Sequence, residues 1–314
     1  VSESASPEVP LAPSATLVSE ERLVAEVSER PAPTHSETSS AGRDLPAAIA
    51  VGVGLAALVL VATYVGPVMW YPVVCTAAAL GMWEVLTRLR ENGYGVYRFV
   101  VIVLGLCMIV STWQFGYPGL LATFTMSALT IMFARLFFNG RHSPPRNYLR
   151  DTAVSIFILV WIGLFGSFAA MISRLESGNV TGSYFIVTFI LCVVASDVGG
   201  YVSGVLFGSH PMAPAVSPKK SWEGFAGSVT FGAVAGVLSG IYLLGSPWWA
   251  GLVFGLGIVV CATLGDLVES QFKRELGLKD MSGLLPGHGG MMDRIDGILP
   301  AAAATWLLMN VVVL

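Results

Sequence analysis

Charge and cysteine are both scarce in this chain. Only 12% of its 314 residues are charged, about half of the roughly 25% found in an ordinary soluble domain. This low charge argues against a soluble two-domain enzyme and against a nucleic-acid binder. The four cysteines all lie within long apolar stretches, where they are typical of small apolar side chains rather than of disulfides or a zinc site. A secreted, disulfide-bonded scaffold is therefore excluded as well.

The chain has few charged residues but contains many long apolar segments. The chain is 54% hydrophobic and has a mean hydropathy of +0.73. A segment of about 18 to 25 mostly apolar residues can cross a hydrocarbon layer of ~30 Å as a helix. Nine such segments can be marked off, at 46–65, 67–86, 99–115, 117–138, 152–172, 183–206, 225–245, 248–270 and 295–314. We therefore predict an all-α, polytopic membrane protein of about nine transmembrane helices.

The distribution of positive charge predicts how these helices are oriented. Of the 17 Lys and Arg residues, 16 lie in the N-terminal tail or in alternate loops, and the other loops contain only Arg174. Loops rich in Lys and Arg favour the cytoplasmic side. We expect the N-terminus in the cytoplasm and the C-terminus outside, in the inner (cytoplasmic) membrane of the cell.

Residues 1–44 differ from the rest of the chain. They contain eight acidic residues and three arginines, are rich in Ser, Pro and Ala, and include no aromatic residue. Such a segment cannot bury enough apolar surface to offset the entropy of ordering it. We predict a disordered acidic cytoplasmic tail at 1–44 and a transmembrane domain at 45–314, with the catalytic part at about 190–314.

Carboxylates within apolar segments suggest function, because charge is costly in a membrane. Glu84 lies one turn before Arg88, and an ion pair at the membrane interface accounts for it. Asp197 shares a helical stripe with Gly200 and Gly204, so it faces a tight helix contact. Hydrogen bonding to neighbouring helices and a place in a polar cavity both remain open for Asp197.

The last third of the chain has the most specific pattern. Asp266, Glu269, Ser270 and Lys273 follow one another at i, i+3, i+4 and i+7 and therefore share one helix face. Carboxylates beside phosphate-binding cations, without a His/Cys cluster, favour Mg²⁺ over zinc. The next helix begins near Asp293 and Asp296, and the two carboxylates, three residues apart, can face a common ion.

Two loops carry the predicted phosphate-binding groups. Glycines flank His288 and can free backbone N–H groups to hold an anion. The full set of substrate-binding candidates comprises a carboxylate, a hydroxyl, a histidine, a glycine and several cations. They are Asp197, Lys219, Lys220, Ser221, Lys273, Arg274, Lys279, His288, Gly289 and Arg294. Ordinary positive-inside charge explains a pair of lysines, but it does not explain the acids and glycines between the cations.

This pattern resembles the signature of the phosphatidate cytidylyltransferases (CDP-diacylglycerol synthases). The matching runs are Ser270-Gln271-Phe272-Lys273-Arg274, Lys279-Asp280, Pro286-Gly287-His288-Gly289-Gly290 and Asp293-Arg294-Ile295-Asp296. Ser196-Asp197 and Lys219-Lys220-Ser221-Trp222-Glu223-Gly224 also resemble segments of this family. The resemblance spans roughly residues 45–314.

The resemblance implies a phospholipid-synthesis enzyme that transfers CMP from CTP to phosphatidic acid and releases pyrophosphate. It also implies Mg²⁺ held by Asp266 and Asp293, a second, monovalent cation, and a homodimer in the membrane lipid. We expect direct in-line attack of the lipid phosphate on the CTP α-phosphorus. Lys273 and Arg274 join the two aspartates as catalytic residues, and the active site faces the cytoplasm.

Three other functions fit parts of the pattern. A CTP-dependent lipid kinase would share the nucleotide but transfer the γ-phosphoryl group, and its products would differ. A CDP-alcohol phosphotransferase is disfavoured because its run of Asp-Gly, Ala-Arg, Gly and two Asp is absent. A secondary transporter would place its polar groups near the membrane midplane and within internal repeats. Here these groups gather at one face and no repeat is visible.

Overall fold

A computed structural model describes residues 45–137 and 146–313. The acidic tail predicted at 1–44 lies outside the described residues. The described chain is almost entirely helical, with one short β-hairpin. Its elements are α1 (Leu45–Val65), α2 (Pro67–Glu91), α3 (Arg98–Leu136), α4 (Tyr148–Ile172, with a π-helical stretch at Leu159–Leu164), α5 (Gly182–Phe207), β1 (Pro211–Ala213), β2 (Ser217–Ser221), α6 (Trp222–Leu244), α7 (Trp248–Glu275), α8 (Met292–Ile295) and α9 (Ile298–Leu308, followed by a π-helical turn at Met309–Val313).

Helices α2 to α7 are each long and apolar enough to cross a membrane. Large apolar side chains are exposed along several of them, as at Val103, Phe133 and Val205, and a lipid environment accounts for that exposure. These helices make the chain a multi-pass membrane protein.

Helix α3 combines two of the predicted segments. It is 39 residues long and contains Gly116 with φ 58° and ψ −144°, a conformation that glycine adopts without a steric penalty. At 1.5 Å per residue it rises about 58 Å, roughly twice the thickness of a hydrocarbon layer. The predicted segments 99–115 and 117–138 meet at this kink. The count of about nine crossings and the orientation of the termini stay predictions.

The β-hairpin is a difference from the all-α prediction. Strands β1 and β2 pair antiparallel, with Pro211 opposite Ser221. Three prolines occur between residues 211 and 218, and proline inside a helix removes a hydrogen bond and clashes with the preceding turn. The segment between α5 and α6 therefore forms a short extended ribbon, and β2 carries Lys219 and Lys220.

Glycines let α5, α6 and α7 approach one another closely. A Cβ atom built on Gly224 of α6 would lie 3.1 Å from the carbonyl oxygen of Gly200 and 3.4 Å from the Cα of Gly204, both on α5. Farther along α6, Gly236 lies against the backbone of Gly251 on α7. Rows of small residues are typical of tight helix packing in lipid, and the predicted close packing is confirmed.

The apolar core fixes the position of α2 relative to the rest of the protein. Met82 of α2 and Met108 of α3 are fully buried, as are Ile162 of α4 and Phe185 of α5. The end of α2 then reaches the loop before α8, where Arg88 Nε donates a hydrogen bond to the carbonyl oxygen of Met281 at 2.7 Å. The core thereby connects the N-terminal helices to the C-terminal loop.

Candidate active site

One polar cavity of about 550 Å³ lies between α5, the β-hairpin, α6, α7 and the segment from α8 to α9. Eight of the predicted site residues line this cavity. They are Asp197, Lys219, Lys220, Ser221, Asp266, Lys273, Asp293 and Arg294. The fold therefore brings together residues that are up to 97 positions apart, as expected if they serve one reaction.

Three carboxylates form a cluster in the cavity. Asp266, Glu269 and Asp296 each have a ligand atom within 4.8 Å of the others. The side chain of Glu269 is only 1% exposed, and its Oε1 atom has no hydrogen-bond partner among the residues that the structure describes. An unpartnered buried oxygen is costly, and hard oxygen ligands suit Mg²⁺. The residues present therefore fit a divalent cation.

Lys273 connects this cluster to the beginning of α8. Its Nζ atom lies 2.6 Å from Glu269 Oε2, on the same helix, and 3.0 Å from Asp293 Oδ1. The lysine side chain is 16% exposed. One cation thus neutralises two buried carboxylates that reach it from different elements.

Asp293 is held more firmly than the other carboxylates. Its carboxylate accepts hydrogen bonds from the backbone N–H of Gly290 at 2.7 Å and from that of Met281 at 3.1 Å. Burial raises the pKa of Asp293, but the Gly290 hydrogen bond and the Lys273 ammonium outweigh it, and the pKa lies below its ordinary value. Asp293 is therefore kept ionised at the edge of the cavity.

The β-hairpin brings a second cation to the cluster. Lys220 Nζ lies 2.5 Å from Asp266 Oδ2. The next residue, Ser221, caps α6, because its hydroxyl oxygen accepts a hydrogen bond from the backbone N–H of Gly224 at 3.1 Å. Glu223 accepts hydrogen bonds from the backbone N–H groups of Ser209 and His210, each at 3.2 Å, and this ties the start of the hairpin to α6. Lys220 is thus presented from a fixed backbone.

Four predicted site residues are not among those that line the cavity. Arg274 is exposed, and its Nε donates to the carbonyl oxygen of Val216 at 3.3 Å. Lys279 is also exposed, and the ring of His288 faces Gly52 on α1. Gly289 has φ +80° and shapes the turn. The N–H group that the glycine run offers to an anion is that of Gly290, which binds the protein's own Asp293 carboxylate. The substrate-binding role of these four residues stays a prediction.

Sequence reasoning missed part of the carboxylate cluster. It noted that Glu269 shares a face with Asp266 and that Asp296 follows Asp293, but it named only Asp266 and Asp293 as metal ligands. The i, i+3 spacing of Asp266 and Glu269 was the available signal. The predicted ion pair between Glu84 and Arg88 is wrong, because Arg88 Nη1 pairs with Glu91 Oε2 at 2.8 Å.

Comparisons with known proteins show which proteins this chain is similar to. The model of the cytidylyltransferase family matches residues 46–312. A phosphatidate cytidylyltransferase of Mycobacterium bovis is 44% identical over 283 residues, which cover 88% of this chain and 91% of that protein. Its counterpart in Mycobacterium tuberculosis is also 44% identical, over 88% of this chain and 85% of that protein. A phosphatidate cytidylyltransferase of Brucella suis is 35% identical over 147 residues, or 46% of this chain and 54% of that protein.

Proposed function

Because this chain belongs to the cytidylyltransferase family, we propose that it transfers CMP from CTP to phosphatidic acid. The products are CDP-diacylglycerol and pyrophosphate, and the reaction serves phospholipid synthesis. The observation that carries this proposal is the polar cavity, which brings the cluster of three carboxylates together with Lys220 and Lys273. Cations and carboxylates in this combination suit a reaction between two phosphorylated substrates.

The reaction joins two anions directly. An oxygen of the phosphatidate phosphate forms a bond to the α-phosphorus of CTP, and the bond from that phosphorus to the oxygen bridging to the β-phosphate breaks. Pyrophosphate leaves with the electron pair of the broken bond. The attacking oxygen is already an anion, so the step requires no general base. The protein's task is to hold the substrates in line and to neutralise their charge.

The lysines of the cavity neutralise the charge of the substrates. Lys219 and Lys220 reach the cavity from β2 and Lys273 from α7, so a triphosphate between them meets cations from two directions. Arg294 lines the same cavity and can contact the lipid phosphate. These assignments are supported by the charge and position of the side chains.

A divalent cation would be held by Asp266, Glu269 and Asp296, with Asp293 beside them. Bound Mg²⁺ would neutralise and orient the triphosphate. Lys220 already contacts Asp266, and Lys273 contacts Glu269 and Asp293, at 2.5 to 3.0 Å. These two lysines help to hold three of the four carboxylates together. A monovalent cation and a homodimer are further predictions from the family resemblance.

The chemistry of the lipid substrate favours a site at the membrane surface. The carboxylates of α7 lie in its last three turns, after a long apolar stretch. Phosphatidate can then present its phosphate while its acyl chains stay in the bilayer. We propose that this end of α7 faces the cytoplasm, where CTP is available, in the inner membrane.

The test is a product assay with purified protein, labelled CTP and phosphatidate over a Mg²⁺ titration. We expect labelled CDP-diacylglycerol and pyrophosphate from the wild type, whereas a lipid kinase would release CDP. Asp266→Asn and Asp293→Asn should each lower kcat by about 100-fold or more. Asp296→Asn should raise the Mg²⁺ concentration needed for half-maximal rate.

The exposed Glu176 provides a control, and Glu176→Gln should behave as the wild type. Near-normal activity in Asp266→Asn would end the proposal that the cluster of Asp266, Glu269 and Asp296 holds the metal, and near-normal activity in Asp293→Asn would exclude Asp293 from the catalytic site. Formation of CDP by the wild type would end the proposed transfer of CMP.

A further inference from the structure

Glu84 is a buried carboxylate that the proposed mechanism does not use. It lies on α2 and is only 5% exposed. It is about 180 residues before the carboxylates of α7 in the sequence and is not among the residues lining the polar cavity. A buried carboxylate is costly unless donors satisfy it, so the contacts of Glu84 indicate what it does.

Within the described residues, the hydrogen bonds that Glu84 accepts come from the loop before α8 and from the first residue of α8. Oε1 accepts from the hydroxyl of Ser282 at 2.6 Å and from the backbone N–H of Met291 at 2.9 Å. Oε2 accepts from the backbone N–H of Met292 at 2.8 Å. Glu84 therefore binds both ends of the loop formed by residues 281–292.

Arg88, one turn later on α2, adds a fourth contact to the same loop. Its Nε donates to the carbonyl oxygen of Met281 at 2.7 Å. Glu84 and Arg88 also line a second cavity of about 420 Å³, which is distinct from the polar one and includes Ser282 and Met281. One face of α2 thus holds the loop through Glu84 and Arg88.

The same loop also holds Asp293. The N–H groups of Met281 and Gly290 both donate to the Asp293 carboxylate. A Cβ atom built on Gly290 would lie 2.7 Å from Glu84 Oε2 and 3.0 Å from Asp293 Oδ2. Both carboxylates therefore lie against Gly290, and a side chain at this position would collide with them.

We propose that Glu84 is a positioning residue for the transfer reaction. By holding residues 281–292 through these hydrogen bonds, it fixes the two N–H groups that orient Asp293 toward Lys273 and the carboxylate cluster. The catalytic consequence rests on the proposed function, whereas the clamping of the loop does not. The role extends the site to α2, far in sequence from the C-terminal signature.

Glu84→Gln is the direct test. The amide retains one acceptor oxygen and turns an NH₂ group toward a hydrogen-bond donor of the loop. Ser282→Ala is a milder variant, because it removes one donor and leaves both backbone hydrogen bonds to Glu84. Glu91→Gln on the same helix is the matched control, since the Glu91 side chain is 53% exposed and contacts Arg88 through Nη1 rather than Nε.

The first measurement is hydrogen exchange of the full chain in detergent micelles, without substrates. Glu84→Gln should speed exchange of residues 281–292 by about tenfold or more and leave α6 and α7 unchanged. Ser282→Ala should speed exchange of the same residues by a smaller factor, and Glu91→Gln should have no effect. Unchanged exchange of residues 281–292 in Glu84→Gln would overturn the proposal, and if that variant does not fold, unchanged exchange in Ser282→Ala would do so.

The second measurement is steady-state kinetics. Loss of a group that orients a metal-site residue typically lowers metal affinity or activity by about 10- to 100-fold. We expect Glu84→Gln to lower kcat and raise the half-saturating Mg²⁺ concentration by factors in this range, with the KM values for CTP and phosphatidate within about twofold. A purely structural role would leave the Mg²⁺ dependence of the folded enzyme unchanged, and that result would overturn the positioning role. If the wild type made no CDP-diacylglycerol, the proposed function would fail, while the exchange result would still decide whether Glu84 holds the loop.

Discussion

Removing the charge of Lys273 should destabilise the protein strongly. Its ammonium lies between Glu269 and Asp293, whose side chains are 1% and 6% exposed. Lys273→Met preserves much of the side-chain volume but leaves both carboxylates without their shared cation. Removing one partner of a buried ion pair costs about 3–5 kcal/mol. Lys273 pairs with two carboxylates, but Asp293 retains two backbone N–H donors. Most of the destabilisation therefore comes from Glu269, and the expected loss of unfolding free energy is that of one broken ion pair rather than two.

Thermal unfolding in detergent micelles, followed by tryptophan fluorescence, measures this effect. In a chain of this size 1 kcal/mol corresponds to roughly 2–3 °C, so the apparent melting temperature of Lys273→Met should fall by about 6–15 °C. Lys279→Met is the control, because Lys279 is exposed and surface substitutions usually change stability by about 0.5 kcal/mol or less.

A double variant tests the cause of the destabilisation. Glu269→Gln combined with Lys273→Met removes a buried charge of each sign and should be more stable than the sum of the two single effects predicts. A melting temperature for Lys273→Met within about 2 °C of the wild type would refute the reasoning. Simple additivity in the double variant would do the same.

Three further predictions concern other parts of the fold. The pKa of Asp293 is lowered in the folded state. Its contribution to stability is therefore complete above about pH 5 and is lost as the pH falls through and below the ordinary carboxyl value of about 3.9. The difference in melting temperature between the wild type and Asp293→Asn should shrink from pH 5 to pH 3. Gly236→Ala places a methyl group against the backbone of Gly251 and should cost about 1–3 kcal/mol, whereas Gly54→Ala, with no atom within 4 Å of the new Cβ, should not lower the melting temperature. Lys220→Met should raise the KM for CTP several-fold while changing stability by about 1 kcal/mol or less, because its ion pair is partly exposed; a normal KM would exclude it from CTP binding.

Local patterns in the sequence predicted most of the helices and one face of the site. Apolar segments gave the helices within a few residues, and the stripe of Gly200 and Gly204 beside Asp197 predicted a tight helix contact, which α5 makes with α6. The i, i+3 and i+7 spacing along α7 correctly placed Asp266, Glu269 and Lys273 on a common face, because a single helix fixes these relations.

Contacts between distant segments could not be predicted in the same way. The loop at 281–292 takes its course from hydrogen bonds to Glu84, about 200 residues earlier, and no local spacing reports such a contact. The same limit explains why the glycine run around His288 suggested a phosphate cradle. In the structure the Gly290 N–H of this run donates to the carboxylate of Asp293, and the phosphate cradle stays a prediction.

The cap at Ser221 has a consequence for how tightly a nucleotide can bind. Lys219 and Lys220 belong to a paired strand that runs directly into the first turn of α6, so their backbone torsions are already set in the ligand-free protein. Ordering a loop residue costs about 1–2 kcal/mol of backbone entropy, and association is weakened by any such ordering that it must bring about. In the proposed binding of CTP, only the two side chains would have to be immobilised, and the affinity of these preorganised lysines for a triphosphate would be correspondingly greater than that of lysines on an unstructured segment.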